Sequence, residues 1–565
     1  MRRIPGPLLA PGLHRFARAL VSLALAIGAL VARPAAAQPT PTVPTPDGRY
    51  RVGFNGQQLT LIDNALFRTL LGDSTLNLFS DTTLTTSVQM LPQRFGADLV
   101  ITYTNAADSA QPLGRINIDG IRLPGSCRQW TFYQDATTRL LSGYTWRNHN
   151  LYPGDWYAPV MVAGDERHTL GFQILYPVVD YDHDVTLWWI GVPDTTTRGG
   201  PPHWTAQFIL GGTLPPGQSR SYTIAIRATT ADRSFLYTLT PYRDFFRARY
   251  GPVHYLRDAR PVMGDAAATT TDISNANPQG WTNGNLRPDV HGWSRWVDLL
   301  LNRRSLGYQR FMLWVPSGVF PAGHPLNFPF RFMTPINDFP VARDSMSQFQ
   351  RFRQQNAEIG FWWGNSATLM HGWSNPTAER FNPNDPEHVR LANLELDMAV
   401  RAGATMIGLD AHYQRSPANM VRWITAMKQR APGIKFITEA ASCDILHNLT
   451  PTFHESGAIR TPHILADFLN PGHETWAALS APVEAVRENR NPTHAEMARE
   501  GQRVAALGFV PLMYGPRALP STLRAAESWR TTVPRDLQLP DPRPNRISTQ
   551  PARRSLRGDG GGGGP

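Results

Sequence analysis

The chain is nearly without lysine. Of its 55 basic residues only Lys428 and Lys435 are lysine, a bias that reads as genomic base composition rather than as function. Cysteine is equally scarce: Cys127 and Cys443 lie one in each half, too far apart to suggest a disulfide framework, and are expected free and buried. No zinc-ligand spacing is present, and no metal or cofactor is expected. After the first forty residues no apolar run approaches the length of a membrane span, so none is expected in the mature protein. Nor does the charge point to nucleic acid. The formal net charge is +11, but five arginines and no acids lie in 1–37, and seven arginines against three aspartates lie from Arg530 onward. The stretch between carries about +2, so the basic pI marks the ends of the chain and not a binding face.

What is present begins with a pattern of export. Arg2, Arg3, Arg15 and Arg18 precede an apolar run over 21–32, and Ala35, Ala36 and Ala37 offer a cleavage site before Gln38. Residues 1–37 are therefore expected to be a signal peptide, and the protein secreted or periplasmic. A Pro/Thr linker follows over 38–47, and a Pro/Arg/Gly-rich tail closes the chain over 530–565. The remaining length exceeds one domain.

Residues 48–230 alternate apolar and polar in short runs (59–62, 98–103, 170–175, 185–190, 205–210 and 222–226) between Gly, Pro, Asn and Asp, which predicts an antiparallel β-sandwich. Within it Asp180, Asp182 and Asp184 form an acidic run that reads first as a solvated loop and otherwise as a cation site or an arm over a neighbouring site. A connecting helix is predicted within 231–257. Beyond it, strands alternate with amphipathic helices over 258–529, the signature of a parallel (β/α) barrel. Seven strands are predicted, at 261–264, 310–315, 359–363, 405–409, 435–438, 464–468 and 509–513, one short of a full (β/α)8 count, so either the eighth is a degenerate turn within 514–529 or the barrel is incomplete.

The stretch 403–441 organises this domain. Residues 405–409 form a short apolar strand ending in Asp410. Ser416 is placed to cap the next helix, whose buried face is Met420, Trp423, Ile424 and Met427. Residues 435–438 form the next strand, ending in Glu439. Two parallel strands joined by a crossover helix lie close in one sheet, and their C-terminal ends open on the rim where barrels carry active sites. A carboxylate at each end suits acid and nucleophile chemistry at a glycosidic bond. Other rim candidates follow the strand ends: Trp314; Trp362 and Trp363 with Asn365; His412; and, after the strand predicted at 464–468, Asp467 with His473 and Glu474. Aromatic faces stack on sugars and planar polar groups bond hydroxyls. Trp362 and Trp363 must point to opposite sides of a strand, so one of them is packing.

A β-sandwich followed by such a barrel resembles the α-galactosidase (melibiase) clan and its α-glucosidase relatives among glycoside hydrolases. The resemblance implies an Asp nucleophile after strand four and an Asp acid/base after strand six, which fall on Asp410 and Asp467. Leu409-Asp410-Ala411 and Thr438-Glu439-Ala440 also resemble the α-amylase pattern, which implies Asp410 as nucleophile and Glu439 as acid. The Arg that stands two residues before the amylase nucleophile is replaced here by Gly408, and the Lys-aromatic-Asp motif of melibiases is absent. The expected protein is thus a secreted retaining glycosidase acting on an oligo- or polysaccharide, with Asp410, Glu439 and Asp467 catalytic and Trp314, Trp363, Asn365, His412, His473 and Glu474 holding the sugar. The alternative is a glycosidase-like barrel that binds glycans without turning them over.

Overall fold

A computed structural model describes residues 50–514, apart from 55–56, 62–69, 72–73, 80–83, 94, 132–136, 141–149, 154–155, 182, 193–202, 259, 269–273, 275, 278–279, 315–333, 364–367, 373–377, 411–415, 440–442 and 459–460. The expected signal peptide, linker and tail, and with them Asn365 and His412, lie outside the described residues.

Two antiparallel sheets make the N-terminal layer pair. One has seven strands and is built on the long hairpin Leu84–Gln93/Gly96–Asn105 together with Ser219–Thr230 and His168–Leu175. The other has five, centred on Gln111–Ile121, His203–Leu214 and Val185–Val192. Strand Gly96–Asn105 shows why they pack: its residues alternate strictly between buried and half-buried, so one face is apolar and must find a partner. Helix Thr240–Tyr250 leads out of this region, burying Tyr242 and Phe246.

The second region is a closed barrel of eight parallel strands: Val262–Ala266, Arg310–Trp314, Glu358–Trp363, Ala404–Leu409, Lys435–Glu439, Thr452–Glu455, Thr475–Ala478 and Val510–Tyr514, in that order round the barrel. A sandwich followed by a (β/α)8 barrel is the architecture the resemblance implied. The barrel is complete, and the expectation of a missing strand is corrected at two points. Residues 464–468 are not strand six but part of helix His463–Leu469. Its Leu465, Ala466, Phe468 and Leu469 are buried at helical spacing, a run too short for its period to separate helix from strand in the sequence. The true sixth and seventh strands, Thr452–Glu455 and Thr475–Ala478, have four residues each. Elsewhere the local rules hold. Ser416 caps helix Pro417–Arg430 by accepting from the Asn419 amide, and Thr493 and Glu496 form a reciprocal capping box on helix His494–Ala506.

The two regions share one continuous core. Of the acidic run at 180–184, Asp182 lies outside the described residues. Helix Val178–Tyr181 packs on helix Pro417–Arg430 at the barrel's outer wall, and Asp180 pairs with Arg249. Cys127 and Cys443 are both free and buried.

Candidate active site at the barrel mouth

The inside of the barrel is filled by alternate residues of each strand. Met312 and Trp314, Trp362, Met406, Ile437, Phe453, Trp476 and Leu512 form one interior cluster. Two glycines make room for its largest members. A Cβ on Gly408 would lie 1.8 Å from Cε3 of Trp362, and one on Gly264 would lie 2.3 Å from Cζ3 of Trp314. Trp314 stacks on Trp362 at 5.1 Å between ring centres and 27° between planes, and Phe453 closes on Trp362 at 4.6 Å. This aromatic layer is the floor of the mouth. Trp314 retains 8% of its surface and Trp362 2%. The Trp362 ring thus occupies the space that a side chain at position 408 would fill.

Strands four and five pair in parallel, with Met406 beside Lys435, Gly408 beside Ile437 and Leu409 beside Thr438. One step further along this register Asp410, which follows the last residue of strand four, would fall beside Glu439, the last of strand five. The Asp410 amide still donates to the Trp363 carbonyl, 3.0 Å away, so the ladder to strand three runs on through this residue. Glu439 lies two residues beyond the inward Ile437 and so falls on the inward side of the alternation, and Asp410, two beyond Gly408, would do so if the alternation ran one residue past the strand. Both are half-buried. Two side chains on one rung of neighbouring strands start roughly 5 Å apart.

Strand six contributes a residue the sequence did not single out. Phe453 is inward, and Glu455, two residues on, ends the strand at the same rim. Its Oε2 accepts from the Ser480 hydroxyl at 3.1 Å. Glu455 is open to solvent, yet enough protein surrounds the carboxyl that loss of hydration pushes it up to about 7. Once 452–455 is known to be a strand, the alternation alone selects Glu455. Carboxylates therefore end strands five and six and directly follow strand four, near an aromatic floor contributed by strands two, three and six.

The other candidates fall elsewhere. Trp363 is the outward member of its pair, fully buried in the main core; Trp362 is the inward one. His473 and Glu474 immediately precede strand seven, so they lie at the N-terminal end of the barrel, opposite the mouth. Asp467, on helix His463–Leu469, joins them there: its Oδ1 is 2.9 Å from Nε2 of His473. Burial pushes Asp467 up to about 7 and His473 down to about 3, as befits a neutral hydrogen-bonded pair. Glu474 is wholly buried and neutralises the barrel base. It accepts from Lys435 Nζ at 2.7 Å, from the Asp258 amide at 2.9 Å and from the Trp476 indole, and Arg310 approaches it at 3.6 Å. These groups close the base of the barrel and do not reach the carboxylates at its mouth. Among the described residues no group of three or more His, Cys, Asp or Glu is arranged to hold a metal ion, and no helix is long and apolar enough to cross a membrane.

No protein-family model matches the chain, and no curated protein matches it. Solved structures similar to it include an α-galactosidase from Thermus thermophilus in complex with stachyose, at TM-score 0.44 and 10% identity over 78% of this chain and 99% of that one. An α-amylase from Geobacillus thermoleovorans complexed with acarbose aligns at TM-score 0.31 and 9% identity, over 50% of this chain and 79% of that one. A cyclic α-maltosyl-(1→6)-maltose hydrolase from Arthrobacter globiformis, in complex with maltose, aligns at TM-score 0.31 and 12% identity, over 48% and 82%. Scores this low carry no argument about activity, which has to rest on the residues themselves.

Proposed function

We propose that the chain is a secreted retaining glycosidase that hydrolyses glycosidic bonds in an oligo- or polysaccharide. What supports this reading is the register of strands four and five: continued one residue past Leu409, it would bring Asp410 beside Glu439 at the C-terminal rim. Two carboxyl groups about 5–5.5 Å apart suit double displacement, whereas an inverting pair stands roughly 6.5–9.5 Å apart to admit water. Asp410 attacks the anomeric carbon while Glu439 protonates the leaving oxygen; Glu439 then takes a proton from the water that releases the sugar. Two negative charges this close disfavour double ionisation, which keeps a proton on one partner while the other stays charged. Trp314 gives the sugar an apolar surface. A second assignment of the donor is Glu455, favoured by its place as the last residue of strand six, two beyond the inward Phe453, with surrounding protein raising its carboxyl above the usual range.

The test is a set of aryl glycosides with good and poor leaving groups. Asp410→Asn should lower turnover by orders of magnitude on all of them while the fold and sugar affinity survive. Loss of the donor should weigh on the poor leaving groups alone, so Glu439→Gln and Glu455→Gln identify it. A wild-type protein that binds glycans and turns none over is the non-catalytic alternative; an active protein whose Asp410→Asn variant keeps most of its rate has a different catalytic pair. Secretion is supported by the basic start, the short apolar run and the Ala35–Ala37 site, and is checked by a mature N-terminus near Gln38.

A further inference from the structure

A buried polar network joins the sandwich to the barrel a few residues past Glu439. Helix Asp444–Leu449 begins there, and all six of its residues are buried. The Asp444 carboxylate accepts from the Tyr152 hydroxyl at 2.8 Å and from the Tyr242 hydroxyl. Tyr152 belongs to the sandwich and Tyr242 to the connecting helix. The Asp444 amide donates to the Tyr157 carbonyl at 2.8 Å. His447 lies one turn on. Its Nε2 faces the Glu474 carbonyl at 3.2 Å and so carries the hydrogen, leaving Nδ1 to accept from the Tyr157 hydroxyl at 2.9 Å. Asn470 donates to both the Tyr157 hydroxyl and the Asp444 carbonyl, at 3.1 and 3.0 Å. At the far end of the segment, the Thr438 hydroxyl meets that of Thr450 at 3.1 Å, so the last residue before Glu439 is tied to the same helix.

We infer that the sandwich is a working part of the site: Tyr152 and Tyr242, through Asp444, are positioning residues that fix the end of barrel strand five and hence the placement of Glu439 beside Asp410. The physical reason is attachment at both sides of the rim residue: Thr438, just before Glu439, is bonded to Thr450 at the end of the helix, and Asp444, held by two hydroxyls and a backbone bond, is five peptide links beyond it, at most roughly 17 Å. Burial makes the anchor stiff, since an Asp444 deprived of its donors has no water to replace them.

The inference rests on the glycosidase reading for its kinetic arm and not for its structural one. The test is the double variant Tyr152→Phe/Tyr242→Phe in the full chain, which keeps both rings. Tyr255→Phe serves as control: it removes a hydroxyl that bonds the same helix at its other end, at the His447 carbonyl. Hydrogen–deuterium exchange of peptides covering 435–443 should quicken in the double variant and stay unchanged in the control. With a glycoside that the wild type hydrolyses, kcat should fall roughly tenfold to a hundredfold, the scale of a misplaced catalytic group, with KM within about threefold and the control near wild type. Unchanged exchange in 435–443 overturns the inference whether or not the protein turns anything over. An equal kcat loss in Tyr255→Phe overturns it too, because the effect would then be general loosening. A wild type with no turnover on any glycoside refutes the glycosidase reading and leaves the exchange result to decide this one.

Discussion

At the scale of single residues, Gly408 is the most constrained position near the mouth. Its missing side chain is what lets Trp362 lie across strand four. Gly408→Ala should cost about 1–3 kcal/mol by overpacking, measured by denaturant unfolding, and a smaller ring at 362 should recover part of it. A Gly408→Ala variant as stable as the wild type would mean that the Trp362 ring sits elsewhere. Glu455 makes a second prediction. Loss of hydration pushes its carboxyl up to about 7, so as pH rises through that value the C-terminal rim is expected to gain a negative charge on strand six. Turnover should fall over this interval, and Glu455→Gln should remove that limb of the profile. Asp444 works through stability instead. Burial pushes it up to about 7, so its stabilising contribution is whole below its unfolded value near 4 and is lost as pH rises through about 7. Asp444→Asn, which keeps an acceptor for one tyrosine, should therefore gain on the wild type by about 1–3 kcal/mol at pH 8 and show no gain at pH 4.

At the scale of elements, what could be read from the chain depended on length and period. Strands four and five were legible because their apolar runs end abruptly in Asp410 and Glu439 and are separated by a helix with a clear cap and face. The sandwich strands were legible because they alternate. Strand six was not. Its four residues Thr452, Phe453, His454 and Glu455 hold one large apolar side chain, while the neighbouring helix at 463–469 offers Ile464, Leu465 and Phe468 in a run that imitates a buried strand. With 463–469 a helix, Asp467, His473 and Glu474 lie by the start of strand seven, at the end of the barrel opposite the mouth, and the carboxylate that ends strand six is Glu455. Kinetics can check the correction directly. Asp467→Asn should leave kcat and its pH profile within about twofold of wild type, since the residue stands across the length of the barrel from the mouth. A loss comparable to that of Asp410→Asn would restore Asp467 to the site.

At the scale of the whole molecule, the tyrosine–aspartate network and the shared core make sandwich and barrel one cooperative unit. Calorimetry of the full chain should show a single unfolding transition; two resolved transitions would mean that the halves are independent. None of this joining was visible in the sequence, because Tyr152, Tyr157 and Tyr242 carry no periodic signal that points at Asp444, some 200–290 residues away.

The barrel's filling has a consequence for traffic. Below the carboxylates lie Trp314, Trp362 and Phe453, then Met406 and Trp476, then Arg310 held against Glu474, all but closed to solvent. The axis is plugged from floor to base, so nothing can pass through. On the reading proposed above, sugar would therefore enter and leave on the rim side of this plug, never through the barrel's base.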